Sequence, residues 1–235
     1  SRREAPSWLI ALAMLAVILL AVAFRMPRLN DRVLHGDEGV NTVKFKQLWY
    51  DNDYRYDPHE YHGPTLPYLT LPLVWLSGTE TYEQTHESTY RMLTALFGVV
   101  LVWMTFASRR WIGTPAALAA AMFCAVSPAM TYYNRYYIHE TPLLVFTFGA
   151  ILAGLQYART RHIAWALTCG ACLGLMHATK ETCVLAYFAM LVALVVSLLT
   201  RRESSVHQHD ENAAETEQAT VGLVGRVTRP LFALP

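Results

Sequence analysis

The fold of this chain is decided by residues 92–134, MLTALFGVVLVWMTFASRRWIGTPAALAAAMFCAVSPAMTYYN, where Arg109 and Arg110 are the only charged side chains. Long uncharged runs lie on both sides of this arginine pair, at 92–108 and 111–134. A helix needs about 20 predominantly apolar residues to cross the hydrocarbon core of a bilayer. The stretch therefore predicts two membrane-spanning helices joined by a short, positively charged turn.

Four further windows contain no Asp, Glu, Lys or Arg. They are residues 8–24, 141–158, 163–179 and 182–200. The whole chain is 54% hydrophobic and 16% charged, whereas about a quarter of the residues of a soluble domain are charged. We predict an all-α polytopic membrane protein with about six transmembrane helices and a long outer loop carrying short interfacial helices. This segregation of charge excludes a soluble enzyme, a disordered chain and a secreted disulfide scaffold.

Pairs of arginines predict the orientation of the helices. If all six windows span the membrane, four such pairs fall on one side of it, which is the cytoplasmic side by the positive-inside rule. The pairs are Arg2 with Arg3, Arg109 with Arg110, Arg159 with Arg161, and Arg201 with Arg202. We therefore predict a multi-pass protein of the plasma membrane, with a cytoplasmic N-terminus and an extracytoplasmic outer loop over residues 25–91.

Domain boundaries and two short segments need separate interpretation. Residues 8–24 could be a signal peptide, but the length of the run and the five further windows favour an uncleaved anchor. Residues 64–77 are apolar but short and contain three prolines, so they predict an interfacial or re-entrant segment.

We assign residues 1–200 to a transmembrane domain and the polar residues 201–235 to a cytoplasmic linker or tail. The chain begins without Met, and we expect it to be the N-terminal fragment of a longer protein.

Ionisable side chains collect on the predicted outer face. The outer loop carries the adjacent carboxylates Asp37 and Glu38. The two short outer turns carry Arg135 with Glu140, and Lys180. Ionisable groups at membrane depth are costly and usually functional, although the cations could simply reach lipid phosphates and the acids could be solvated. Their joint occurrence on one face favours a site.

These residue types suit transfer of a group from a lipid phosphate. A carboxylate can act as a general base on a hydroxyl acceptor, and a cation can bind the phosphate of the leaving group. Aromatic side chains such as Tyr61 suit sugar faces, but Tyr and Trp also mark membrane interfaces. His35, His59 and His62 could be imagined as metal ligands, yet their Pro-flanked loop favours structural or substrate hydrogen bonding. We predict no cofactor and no nucleic acid partner, and the sequence leaves a divalent metal open.

Two of the four cysteines form the pattern Cys169-x-x-Cys172 inside an apolar window. A metal or redox site is disfavoured, because a second pair of ligands is missing nearby in the sequence. The pattern is more typical of close helix packing through small residues, here Gly170-xxx-Gly174.

Several ordered motifs resemble the GT-C superfamily of membrane glycosyltransferases. They are HGDEG at 35–39, DNDYRYDPHEYHGPTLPYLT at 51–70, RMLTALFGVVLV at 91–102, YYNRYYIHETPL at 132–143 and GLMHATKET at 174–182. The resemblance is to the branch that holds protein O-mannosyltransferases and lipid A aminoarabinose transferases, and is closest to the archaeal flippase-associated family. Residues 51–70 are its most specific part.

The resemblance implies an inverting glycosyltransferase with a polyprenyl-phosphate sugar donor, a protein, glycan or lipid acceptor and an extracytoplasmic active face. It implies that Asp37 is the catalytic base and that Glu38 orients it or the acceptor. Arg135 and Lys180 become candidates for binding the donor phosphate, and Glu140, His62 and Tyr61 for further substrate contacts. Glu140 replaces the Asp of the family's turn, and Glu181 could pair with Lys180. The alternative is a non-catalytic, lipid-handling or flippase-associated membrane protein.

Overall fold

The computed structural model describes residues 6–57, 59 and 62–200, and all of its regular elements are helical. The helices are α1 (Ser7–Arg25), α2 (Asp37–Trp49), α3 (Thr65–Ser77), α4 (Glu87–Ala107), α5 (Arg109–Ile112), α6 (Thr114–Val126), α7 (Pro128–Asn134), α8 (Glu140–Thr160), α9 (Ile163–Thr179) and α10 (Cys183–Thr200), with a 3₁₀ turn at Tyr82–Gln84. The predicted all-α polytopic fold is confirmed. The predicted tail at 201–235 lies outside the described residues.

Each of the six uncharged windows forms helix, but not every helix is long enough to span on its own. Four helices have the length and apolarity of a span: α1, α4 together with α5, α8 and α10. A fifth span results if α6 and α7, which are bent by 62° relative to each other, are counted as one. The apolar α9 has 17 residues, and α3 has 13 with Pro72 inside it.

The chain divides into two units, Ser1–Val184 and Leu185–Pro235. In the first unit, α1, α4 and α6 share a core. Its buried members are Met14, Val17, Ala21, Val102, Phe106, Ala117, Ala121 and Ala125. The alanines of α6 recur every four residues, so one small-residue face of this helix lies against its neighbours. In the second unit, the described residues 185–200 continue the apolar α10.

Within the residues that the structure describes, Gly170 and Gly174 do not make the expected close helix packing. A Cβ atom added to either glycine would meet no atom of the described chain within 4 Å. The close approach uses glycines of α8 instead, because a Cβ on Gly149 would lie 2.9 Å from the Cys172 sulfur. The cysteines of α9 therefore fill space against α8, while the α9 glycines face away from it.

A buried arginine stabilises the bend between α6 and α7. Pro128 lacks an N–H group, so the carbonyl of Cys124 loses its normal helical donor. Arg25, at the end of α1, is fully buried and donates to the carbonyls of Cys124 and Ala125, both at 2.8 Å. Its guanidinium thus satisfies two carbonyls that the bend leaves unpaired.

We expect Arg25→Met to destabilise the protein through this bend. Each buried carbonyl left unpaired costs about 1–3 kcal/mol. Thermal unfolding in detergent measures the change, with Arg28→Met as the matched control, because the Arg28 side chain is 83% exposed. Equal stability of the two variants would contradict this role of Arg25.

A second core fixes the end of the bundle at which the outer-loop residues lie. There α3 packs against α2 and α4, the end of α9 contacts the start of α3, and the 135–139 turn contacts α2. The buried members of this core are Phe45, Leu66, Val74, Tyr90, Leu93 and Tyr137. We call this the α2 end of the bundle. This core holds the first turn of α2 against the 135–139 turn, and this contact positions Asp37 and Glu38.

Candidate active site

The two adjacent carboxylates at the start of α2 have different environments. Glu38 is fully buried and forms a bidentate ion pair with Arg91 of α4, with Nε–Oε1 and Nη2–Oε2 distances of 2.7 Å each. The backbone N–H of Tyr137 also donates to Oε1, at 3.0 Å. Burial alone would raise the pKa of Glu38, but the hydrogen bonds and charge of Arg91, aided by the Tyr137 N–H, lower it below the ordinary value. Glu38 is thus held as a carboxylate with its oxygens occupied.

Arg91 also ties the loop before α2 to the bundle. It is 2% exposed, and its remaining N–H groups donate to the carbonyls of Leu29, Arg32 and Val33 at 2.8, 2.5 and 3.1 Å. One guanidinium therefore fixes both the chain that leaves α1 and the first turn of α2.

Asp37, one residue earlier, is exposed and lines a cavity of about 210 Å³. Successive residues of a helix point about 100° apart, so fixing Glu38 inward leaves Asp37 directed into this cavity. Both acids stand at the helix N-terminus, where negative charge is favourable. The cavity is also lined by the acidic, basic and imidazole side chains of Lys44, Arg55, Asp57, His62 and His139.

The segment that begins at His62 forms one wall of this cavity by docking on the end of α9. The Gly63 N–H donates to the Thr179 carbonyl at 3.0 Å, and the Thr65 hydroxyl donates to the Ala178 carbonyl at 2.5 Å. A Cβ on Gly63 would lie 2.0 Å from the Ala178 oxygen. Glycine is therefore required here for close approach of the two backbones.

Two histidines face each other at this wall. The rings of His62 and His139 have centroids 4.8 Å apart. Burial, together with the nearby His62, lowers the pKa of His139 to about 4. At neutral pH the His139 ring is uncharged, and it contacts the Gly63 carbonyl at an Nε2–O distance of 3.2 Å.

The two acids of the short turns, Glu140 and Glu181, each lie close to a basic side chain. Lys180 contacts Glu140 at an Nζ–Oε1 distance of 2.5 Å. Glu181 lies with its Oε2 3.8 Å from Nδ1 of His62. Lys180 thus pairs with Glu140 and not with Glu181, because the turn presents Glu181 to the outer-loop segment and Lys180 to the start of α8.

Arg135 lies at a second cavity, of about 510 Å³, beside the end of α1. Its Nη2 donates to the carbonyls of Pro27 and Arg28 at 2.7 and 3.0 Å. Arg28 and Arg32 line the same cavity, and the Arg32 guanidinium lies 4.9 Å from the ring centroid of Tyr136. Arg91 lines this cavity as well.

The structure thus brings together only part of the predicted set. Asp37 and His62 line one cavity, and Arg135 lines the other. Lys180 and Glu140 pair with each other and line neither of these two cavities. Tyr61 lies outside the described residues. Within the described residues, we find no group of three or more His, Cys, Asp or Glu that could hold a metal ion.

Several residues that line the two cavities could not be recognised as site residues from the sequence: Arg28, Arg32, Lys44, Arg55, Asp57, Arg91 and His139. Arg91 carries one signal, since it is a cation directly before an apolar window. The others are loop or helix residues of ordinary type, and only the tertiary fold brings them to the cavities.

The long apolar helices are those of an integral membrane protein, and its family is shown by comparison with known sequences. Residues 73–209 match the dolichyl-phosphate-mannose-protein mannosyltransferase family. The match covers more than half of the chain, which therefore belongs to this family. The family's donor is a polyprenyl-phosphate sugar, and its acceptor is in general a protein. No curated protein and no solved structure matches the chain.

The family match is informative about only some of the site. Arg91, Arg135, Glu140 and Lys180 lie within the matched residues, whereas Asp37, Glu38 and the 51–70 motif precede them.

Proposed function

We propose that the protein transfers a sugar, with inversion, from a polyprenyl-phosphate donor to a hydroxyl acceptor on the extracytoplasmic face of the plasma membrane. Asp37 removes the proton of the acceptor hydroxyl, and the acceptor oxygen forms a bond to the sugar C1. The bond from C1 to the phosphate oxygen breaks, and the polyprenyl phosphate leaves with the electron pair. A carboxylate base positioned in this way contributes about 10²–10⁴-fold to a rate.

The observation that carries this proposal is the different placement of the two acids. Glu38 is occupied by Arg91 and acts as a positioning residue for the first turn of α2. Asp37 is left open to a small cavity, below the volumes typical of drug-sized ligands. A cavity of this size suits one sugar ring together with an acceptor hydroxyl.

The Arg135 cavity offers cations for the donor phosphate, and because this phosphate is bonded to the sugar C1, the assignment requires the donor to reach from this cavity to Asp37. It combines three exposed or half-buried arginines and one acid, Asp31, with apolar wall residues such as Phe24, Leu29 and Val126. The Arg28 guanidinium lies 3.9 Å from the Asp31 carboxylate, which leaves Arg32 and Arg135 as the cations without an acid from this cavity. Planar guanidinium groups suit phosphate oxygens, and the apolar wall suits the first isoprenoid units. Lys180, whose ammonium has two N–H donors beyond the one given to Glu140, is the second candidate for this phosphate. Glu140, His62 and Tyr61 remain candidates for further substrate contacts.

We expect Arg135→Gln to raise the KM for the polyprenyl-phosphate sugar about tenfold, the effect of losing roughly one charge-assisted hydrogen bond. Arg135→Lys, which keeps the charge, should lose less. Steady-state kinetics with the full-length protein at varied donor concentration checks this. An unchanged KM for Arg135→Gln, with a raised KM for Lys180→Gln, would instead assign the phosphate to Lys180.

Transfer itself is tested with radiolabelled polyprenyl-phosphate mannose and a peptide bearing serine and threonine. We expect labelled peptide whose glycosidic bond has the anomeric configuration opposite to that of the donor, determined by NMR. The alternative function is lipid handling without chemistry, which is favoured by the likeness of residues 51–70 to the flippase-associated family and by the arginine-lined cavity. It predicts that the protein binds the polyprenyl phosphate but leaves the peptide unlabelled.

A further inference from the structure

A separate groove lies between α4, α8 and α9, at the end of the bundle opposite α2. The first two helices end there and the third begins there. The groove encloses about 570 Å³ and has apolar walls that include Trp103, Phe146 and Trp165. It contains none of the residues assigned to sugar transfer.

The rim of this groove is positively charged. Arg109 and Arg110, at the start of α5, line it and are exposed, and none of the described residues that line it is acidic. The Arg109 guanidinium lies 4.7 Å from the ring centroid of Phe106, so its stem follows the apolar surface while its charge stays at the rim. The groove therefore presents two cations above an apolar channel.

One polar group in the groove lacks a partner. Gln156 is 7% exposed, and its Oε1 has no hydrogen-bond partner in the described chain. It lies about one turn before the end of α8. A buried acceptor without a donor is unfavourable, and a ligand hydroxyl would satisfy it once the side chain turns its amide into the groove.

We propose that the groove binds an anionic glycerophospholipid whose headgroup carries a hydroxyl, as in phosphatidylglycerol. The phosphate accepts from Arg109 and Arg110, an acyl chain lies along Trp103, Phe146 and Trp165, and a headgroup hydroxyl donates to Oε1 of Gln156. Charge complementarity selects this occupant, because the rim requires an anion and the channel requires a long apolar chain. The aromatic side chains are of the kind enriched at membrane interfaces.

Native mass spectrometry of the purified full-length protein tests this site with three lipid probes. Phosphatidylethanol has the phosphodiester charge of phosphatidylglycerol but lacks the hydroxyl, and phosphatidylcholine has no net charge. We expect binding in the order phosphatidylglycerol, phosphatidylethanol, phosphatidylcholine. The double variant Arg109→Gln with Arg110→Gln should lose about tenfold or more in affinity for the two anionic lipids.

Two further variants separate the site from general attraction of anions. Gln156→Leu, which removes an unpaired polar group and so should fold normally, is expected to bind phosphatidylglycerol no better than phosphatidylethanol. The matched control is Arg159→Gln with Arg161→Gln, which removes two positive charges at the same end from residues that do not line the groove. An equal loss in this control, equal binding of all three lipids, or a full-length protein whose own segments cover the groove and exclude lipid would overturn the proposal.

Discussion

Asp37→Asn is expected to reduce sugar transfer by the full-length protein about 10²–10⁴-fold, the contribution of a positioned general base. Asn has nearly the same shape as Asp but cannot accept the proton of the acceptor hydroxyl. Because Asp37 is exposed and makes no ion pair in the described chain, the substitution leaves the packing of α2 intact. The loss should therefore appear in kcat with little change in thermal stability. Transfer to the serine and threonine peptide measures it.

The matched control is Asp57→Asn, because Asp57 is exposed and lines the same cavity. It removes an equal charge from the surroundings of the substrate without removing the proposed base. We expect a much smaller loss for this variant. Full activity of Asp37→Asn, or equal losses for the two variants, would show that the base is elsewhere.

The helices could be predicted from composition because the bilayer imposes a simple requirement on sequence. The uncharged windows 92–108 and 141–158 correspond to α4 (Glu87–Ala107) and α8 (Glu140–Thr160), and the helix ends differ from the window ends by at most five residues. The bend at Ser127–Pro128 was not predicted, since a proline inside an apolar window does not reveal what compensates for its missing donor. Here the compensation comes from Arg25, about one hundred residues away.

The residue types of the candidate site could be predicted from the sequence. Which of its acids is buried in an ion pair and which is left open to the cavity could not. The pair Asp37 and Glu38 stands out in the sequence, and family resemblance suggests which of them reacts. The two acids differ because of the tertiary structure: Arg91 of α4 forms an ion pair with Glu38 and not with Asp37. In the same way, the pairing of Lys180 with Glu140 depends on how the end of α9 meets the start of α8, which local sequence does not encode.

Removing one partner of the Glu38–Arg91 pair should destabilise the protein by about 3–5 kcal/mol, because it leaves a buried, uncompensated charge. Glu38→Gln and Arg91→Met are the two single variants, and thermal unfolding in detergent measures them. Glu140→Gln is the matched control, since the Glu140 side chain is 47% exposed and exposed ion pairs contribute about 0–1 kcal/mol. We expect the control to unfold close to the wild-type temperature.

The double variant Glu38→Leu with Arg91→Met separates the ion pair from the other contacts of Arg91. If Arg91 served Glu38 alone, replacing both by apolar residues would restore most of the stability. Arg91 also satisfies three loop carbonyls, and these remain unpaired in the double variant. We therefore expect the double variant to be more stable than Arg91→Met, which also leaves the Glu38 charge unpaired, but to remain less stable than the wild type.

The contribution of Glu38 should also depend on pH in a definite direction. Its pKa is lower in the folded protein than its ordinary value, because the bonds from Arg91 and the Tyr137 N–H outweigh burial. The stabilisation is then fully present above the ordinary carboxyl pKa of about 4.3 and is lost as the pH falls through the lower, folded-state value. The difference in unfolding temperature between wild type and Glu38→Gln should therefore be constant near neutral pH and shrink below about pH 4. A difference that grows on acidification would mean that Glu38 is protonated in the folded protein, and Arg91 would then need another anion.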